Sequence, residues 1–329
     1  MIHREKIGRK VVIVGGANID LQGISFSAFV PGDSNPGRIF SASGGVGRNI
    51  AENCARLGLA TSLITAFGDD ADAVFLRQDC VAKGIDVGDS LVASKPTARY
   101  LCALDANGRL MAAVADMAIM ELLTPLFLES RKPLLDQADF IVADANLPAP
   151  SLAWLAGRYG RTARLAENRE LPLLFLDTVS TAKTRRAVGL SGEFDCIKPN
   201  GAEAAILAGV PESEPAKLRE SLAAAGALPA ELYISLGEKG IYYYTDAAGE
   251  GSIRLPAPEL RPAVLNRSGA GDAACAALLW ATAKGFGAKD KARCALTAAM
   301  LAAASAEPVS PDLSEASFEA RMRSIYPEE

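Results

Sequence analysis

Histidine is almost missing from this chain. His3 is the single one among 329 residues, and it lies in a charged leader expected to be mobile. Ser-His-Asp and Cys-His catalysis, HExxH zinc sites and most histidine-centred dehydrogenase chemistry therefore have nothing to run on. Any general base must be a carboxylate, lysine, tyrosine or cysteine. Paired cysteine motifs are missing too. Cys54, Cys80, Cys102, Cys196, Cys275 and Cys294 show no Cys-x-x-Cys spacing and lie mostly in apolar runs, so buried free thiols in a reducing cytosol are expected, not disulfides or zinc. Aromatic residues make up only 6% while half of the residues are hydrophobic, with much alanine, which suits helices packed on a buried sheet better than a β-sandwich. No long basic block accompanies the net charge of -5, so nucleic acid and anionic membrane are not expected partners, and a small anion would need a local nest. The first apolar run, residues 11–14, is too short for a signal sequence or a membrane span, which leaves a cytoplasmic location as the expectation.

What is present reads as alternating strands and helices. The length allows one large α/β domain with an insertion or two ordinary domains; with no linker and no repeat, a single unit over 1–329 is expected. Residues 10–16 form a strand apolar on both faces, as in a parallel sheet, ending in Gly15-Gly16. Residues 21–43 read as strand, loop, strand, punctuated by Pro31-Gly32 and Asn35-Pro36-Gly37. A helix opens at Gly44-Gly45, with Ile50, Cys54 and Leu57 on one face and Gly58 as its C′ residue. A strand over 61–67 and a helix over 72–83 follow. Residues 98–104 and 109–115 flank an Asn-Gly turn and make a hairpin. With 21–43 this hairpin would give a small sheet outside the main layer, a lid built from segments at about 21–43 and 94–117. Alternation then resumes with strands over 140–144, 172–177, 194–198 and 231–236, a hairpin-like 240–245, and helices over 151–159, 201–208, from Gly271, and a last one over 289–304. Such βα units imply right-handed crossovers, a doubly wound mostly parallel sheet, and ligands at the strand C-terminal ends.

The most telling segment is Asn266-Arg-Ser-Gly-Ala-Gly-Asp272. Gly269, Ala270 and Gly271 would present bare backbone N–H groups at a helix entrance, where the dipole favours an anion. Asp272 sits at that same entrance. A carboxylate there repels phosphate, but it can accept the proton of an alcohol that attacks one, as phosphoryl transfer requires. A plain turn with an N-cap has the same spelling, so the companions decide. Asn18 and Asp20, after the first strand, suit hydrogen bonds to sugar hydroxyls, with an Asx turn as the competing reading. Gly44-Gly-Val-Gly-Arg-Asn49 combines close backbone approach at Gly44 and Gly45 with a guanidinium, Arg48, and an amide, Asn49, on a first helical turn. Asp144-Ala-Asn146 and Asp177-Thr-Val-Ser180 are polar strand ends whose generic role is capping; Asn146 is also a candidate substrate contact. Lys198-Pro-Asn-Gly-Ala-Glu203 has capping-box spacing, and Asn200 with Glu203 could instead organise water around magnesium beside a nucleotide held by Lys198. Ser235, Gly237 and Gly240 form a strand end and glycine turn that could lie under that nucleotide, or simply close a hairpin. Met117 and Met120 could line the lid or fill the core.

In this order these segments resemble the ribokinase-like, phosphofructokinase B-type family of carbohydrate and nucleoside kinases. The resemblance runs over essentially the whole chain, carried by the double glycine at 44–49, Asn-x-x-Glu at 200–203 and Gly-Ala-Gly-Asp at 269–272. It implies a three-layer α/β fold with a small β-sheet lid, Asp272 as the base for the substrate hydroxyl, and an anion hole at Gly269, Ala270 and Gly271. ATP and Mg2+ are the implied cofactors, Glu203 reaching the metal through water with Asn200. The chain is most similar to the pseudouridine kinases, on Asn18-Ile-Asp20, Asp33-Ser-Asn-Pro-Gly37, Gly44-Gly-Val-Gly-Arg-Asn-Ile50, Asp116-Met117, Lys198-Pro-Asn200 and Ser310-Pro-Asp-Leu-Ser314. That likeness implies phosphorylation of the pseudouridine 5′-hydroxyl, with Asn18, Asp20, Gly45 and Asn49 gripping the ribose and Asn35 and Asp116 on the lid reading the base. Another nucleoside or a simple sugar is the alternative substrate, and a binder without turnover the alternative class. Lids of this family often clasp a second copy, so a homodimer is implied. Where many members carry Asp-Thr before the signature, this chain has Asn266-Arg267, which weighs against a monovalent cation.

Overall fold

The computed structural model describes residues 9–167, 170–266 and 268–327; His3 with its leader, and Arg267, lie outside the described residues. Its strands, in chain order, are β1 Lys10–Val14, β2 Asn18–Ser25, β3 Gly37–Gly44, β4 Ala60–Ile64, β5 Ala66–Phe67, β6 Ile85–Asp86, β7 Leu91–Val92, β8 Arg99–Leu104, β9 Leu110–Asp116, β10 Phe140–Asp144, β11 Leu173–Asp177, β12 Cys196–Ile197, β13 Glu231–Ser235, β14 Ile241–Thr245 and β15 Gly249–Ile253. Among the described residues nine of them form the main sheet, in the order β15-β14-β13-β12-β11-β10-β1-β4-β6. Pairing is parallel from β13 to β6, and β14 and β15 close the other edge as an antiparallel hairpin.

Alternation along the central strands divides the core in two. Val11 and Ile13 of β1 join Phe140 and Val142 of β10 under the helices Val46–Arg56, Ala270–Ala283 and Ala288–Ala303. Val12, Val14, Ile141 and Ala143 face the other way, toward the helices Ala149–Tyr159 and Gly201–Ala208. Both faces of these strands are therefore covered, which is why they read as unbroken apolar runs. The alanines of Ala270–Ala283 let its neighbours approach closely, and Trp280 closes the layer with edge-on contacts to Phe286 and Phe318.

The two segments expected to form a lid do pair with one another, in a four-stranded sheet of order β3-β2-β8-β9. Three boundaries depart from expectation. The strand over 61–67 divides into β4, in the main sheet, and β5, which pairs with β7. The strand over 194–198 contributes only Cys196–Ile197 to the ladder. The helix over 288–303 is followed by Glu315–Ile325, whose start is a Ser314–Ser317 capping box and whose buried side chains are Phe318 and Ile325. So few apolar anchors leave a weak periodic signal. The six cysteines are free thiols, all buried except the half-buried Cys102.

Candidate active site

Two glycine-led helix starts face each other across the ends of β1, β10 and β11. Gly45 precedes the helix Val46–Arg56 with φ of 100°, and a Cβ there would lie 2.4 Å from the Gly16 carbonyl oxygen. Only glycine fits so close to another backbone in that conformation. Opposite, Gly269 has φ of 78° and the carbonyl oxygen of Pro308 only 1.9 Å from where a Cβ would stand. These constraints bring the two first turns together: Asn49 Nδ2 donates to Asp272 Oδ2 at 2.9 Å. Among the described residues no side chain caps the helix Ala270–Ala283; its first N–H groups have no partner within the helix, and Gly269 and Gly271 there line the cavity. Lys198 adds a full charge beside them, its Nζ 3.4 Å from the Cβ position of Gly271.

A cavity of about 610 Å³ lies between these starts and the small sheet, in the size range of small-molecule sites. Its acid–base character follows from burial. Asp272 is pushed up to about 7, first by desolvation and then by the charges of Asp177 and Asp144, against the pull of the Asn49 bond and Lys198. Asp144 rises to about 6 for the same leading reason, although Gly16 N and Asn146 N both donate to it, at 2.7 and 2.8 Å. Burial also raises Asp177, whose Oδ2 has no hydrogen-bond partner among the described residues and lies 3.9 Å from Lys198 Nζ. Burial would push Lys198 down, but Asp177, Cys275, Glu203 and Asp272 outweigh it and hold the ammonium above its ordinary value. An acid poised near neutrality, beside open amides and a fixed cation, can take a proton from an alcohol while anionic charge is held next to it.

The cavity brings together most of the residues singled out from sequence: Asn18, Asp20, Gly45, Asn49 and Asn146 on the β1 side, and Lys198, Asn200, Glu203 and Ser235 on the other, with Gly269, Gly271 and Asp272 between. Asn18 Nδ2 donates to Asp20 Oδ1 at 2.6 Å. Asn200 and Glu203 form the reciprocal cap of the helix Gly201–Ala208, and Glu203 Oε2 also accepts from Thr178 Oγ1. Among the described residues no three His, Cys, Asp or Glu side chains are grouped as metal ligands.

Other candidates lie outside the cavity lining. Arg48 is not in the lining: its guanidinium is buried against Glu52, one turn on in its own helix, and Asp79 of the helix Ala71–Ala82, at 2.6 and 2.7 Å. Asn35 is held by its own loop, accepting from Val30 N and donating to Val30 O and Asp33 O. Asp116 is exposed at the end of β9, where it accepts from Ala118 N. Gly44, Ala270, Gly237 and Gly240 also lie outside the lining; a Cβ at Gly44 would sit 2.2 Å from Asp20 Oδ2, so its part is to make room.

The residues passed over lie mostly after β11. Asp177, Val179, Ser180 and Lys183 all line the cavity. Val179 has φ of 64°, a strained conformation for a β-branched residue, and it turns the chain so that Ser180 caps the turn Thr181–Thr184. Lys183 is half-buried, and desolvation with nearby Arg186 lowers it. No spacing rule marks a Val as left-handed. Tyr100 and Ala115 line the cavity from the small sheet, next to Asp20 across β2, β8 and β9; Met117 lines it too, whereas Met120 is in the core.

Comparison with known proteins agrees with this geometry. The family described as pfkB family carbohydrate kinase matches residues 9–315. The pseudouridine kinase of Escherichia coli is 33% identical over 310 residues, 92% of this chain and 93% of that protein. A carbohydrate kinase from Agrobacterium tumefaciens superposes with a TM-score of 0.81 at 28% identity, covering 97% and 98% of the two chains. Arabidopsis thaliana ribokinase, complexed with ribose and ATP, shares the fold with a TM-score of 0.80 at 19% identity over 96% and 99%. The chain belongs to the pfkB family of carbohydrate kinases, a phosphotransferase with an alcohol group as acceptor.

Proposed function

We propose that this kinase uses ATP to phosphorylate the 5′-hydroxyl of pseudouridine, giving pseudouridine 5′-phosphate. The observation that carries the chemistry is Asp272 lining the cavity beside an uncapped helix start and Lys198. As the 5′-oxygen attacks the terminal phosphorus in line, its proton passes to Asp272 and ADP leaves with the bridging oxygen. The amides from Gly269 to Gly271 and the Lys198 ammonium hold the charge that gathers on the transferred group. Magnesium bound to the phosphates would neutralise charge there; Glu203 Oε2 is committed to the cap and Thr178, so Oε1 with Asn200 would hold the metal through water. Ser235 lies where the nucleotide would enter, on the Lys198 side.

On the acceptor side, Asn18, Asp20, Gly45 and Asn49 would grip the ribose, with Asn146 beside them. Tyr100 and Met117, which line the cavity, would face the base, and Asn35 and Asp116 would read it only if the lid moves them inward. The choice of pseudouridine rests on the likeness to the E. coli enzyme. It is tested by comparing kcat/KM with ATP and magnesium for pseudouridine, uridine, ribose, adenosine and fructose phosphates. Pseudouridine should lead by at least about tenfold; a lead by any other acceptor overturns the substrate while leaving the kinase.

A homodimer belongs to the same reading. Side chains alternate across β8 and β9, so Leu101 and Val114 point away from the cavity face that carries Tyr100 and Ala115. Ile39 joins them through the Gly23 pairing, and the three are 48, 64 and 80% exposed, respectively. An open apolar sheet face of this kind fits a second copy. Among the described residues no helix is long and apolar enough to cross a membrane, and a cytoplasmic location goes with the proposed substrate.

A further inference from the structure

The buried guanidinium that misses the cavity touches one residue that does not. Arg48 Nη1 donates to Asn49 Oδ1 at 3.1 Å, while Nη2 is held by Glu52 and Asp79. Glu52 is itself braced by Arg56 at 2.8 Å and Lys83 at 2.9 Å, so the guanidinium is anchored by a buried network on two helices. Arginine only donates. The Asn49 atom that faces it must therefore be the amide oxygen, which leaves the amide nitrogen to face Asp272 Oδ2. Turned over, the amide would set donors against the guanidinium and an oxygen against a carboxylate, both unfavourable in a buried site.

We propose that Arg48 is a positioning residue for the general base: it locks Asn49 in the one orientation that donates to Asp272, and so holds that carboxylate in front of the acceptor hydroxyl. This rests on the reading of Asp272 as the base. The Asn49 bond is the one side-chain hydrogen bond to Asp272 among the described residues. The other charged groups around the carboxylate are Asp177 from β11, Asp144 from β10 and Lys198 after β12. Of these only Lys198 favours the ionised form, so losing the amide donor leaves Asp272 harder to ionise.

The test is a double-mutant cycle of Arg48→Lys and Asn49→Ala, read as kcat and as the acid limb of the pH profile. Lysine keeps a cation for Glu52 and Asp79 but has no planar fork to reach Asn49. Arg48→Lys should lower kcat about tenfold and move the acid limb to higher pH, and it should cost nothing further once Asn49 is alanine. An equal loss in both backgrounds, or an acid limb that does not move, overturns the proposal. If Arg48→Lys does not fold, Asp79→Asn, which loosens the outer anchor, is measured in the same cycle. A smaller loss that vanishes in the Asn49→Ala background supports the proposal, and an unmoved acid limb overturns it. Asp272→Ala is assayed alongside. Turnover retained there would sink the base itself, whereas a dead Asp272→Ala with an additive cycle would sink only the role of Arg48.

Discussion

The nine-stranded and four-stranded sheets meet at the cavity, yet they are built on opposite terms. In the large sheet β1 and β10 are buried on both faces, and the catalytic candidates sit at the ends of such strands or on helices packed over them. In the small sheet one face lines the cavity through Asp20, Tyr100 and Ala115, and the other exposes Ile39, Leu101 and Val114. A group that must keep its geometry through a reaction needs a support packed on all sides. Under the proposed function the small sheet is a cover that must admit substrate, and a sheet packed on one face only can be held by fewer contacts.

The comparison can be broken at its rigid side first. Asp272→Ala should lower kcat by about two orders of magnitude or more with KM little changed, since a general base acts in the transition state. Steady-state kinetics checks this; a loss confined to KM would move Asp272 from chemistry to binding. The small sheet should respond differently. Leu101→Glu with Val114→Glu places charges on the outer face, and sedimentation should show a dimer becoming monomer while the fold, followed by circular dichroism, is kept. If the wild-type protein sediments as a monomer, that face has another use.

The smallest effect sharpens the contrast through pH. Asp272 has a folded-state value near 7 against an ordinary 3.8, so the unfolded chain loses its proton first as pH rises. The contribution of Asp272 to stability therefore falls between about pH 4 and pH 7, and the penalty persists above. Asp272→Asn removes it: Tm should exceed that of the wild type by a few degrees at pH 8, and the gap should close toward pH 4. A constant gap across that range would mean that burial does not set the ionisation of this acid.

Much of the fold was legible because its rules are local. Unbroken apolar runs marked β1 and β10, an Asn-Gly turn marked the β8–β9 hairpin, and Gly58 marked a helix end. Glu315–Ile325 was missed because a helix with only two buried side chains has little periodicity to read. In the site, residues whose role is to free backbone, such as Gly45 and Gly269, were visible as glycines in sequence. The place of Arg48 was not legible, because a helix's first turn can aim a side chain at the ligand or away from it. The acceptors that drew it away, Glu52 four residues on and Asp79 on another helix, are partners that spacing alone does not identify.

By itself, then, the sequence determined the alternation of strand and helix and the glycines at close backbone approaches, because each depends on a residue and its near neighbours. Only the tertiary structure decided that Asn49 and Asp272, 223 positions apart, would share a hydrogen bond, that Asp272 would be buried among Asp177, Asp144 and Lys198, and that Val179 would take a left-handed turn. Burial and electrostatic coupling are properties of the space between elements, and that space exists only once distant segments have packed.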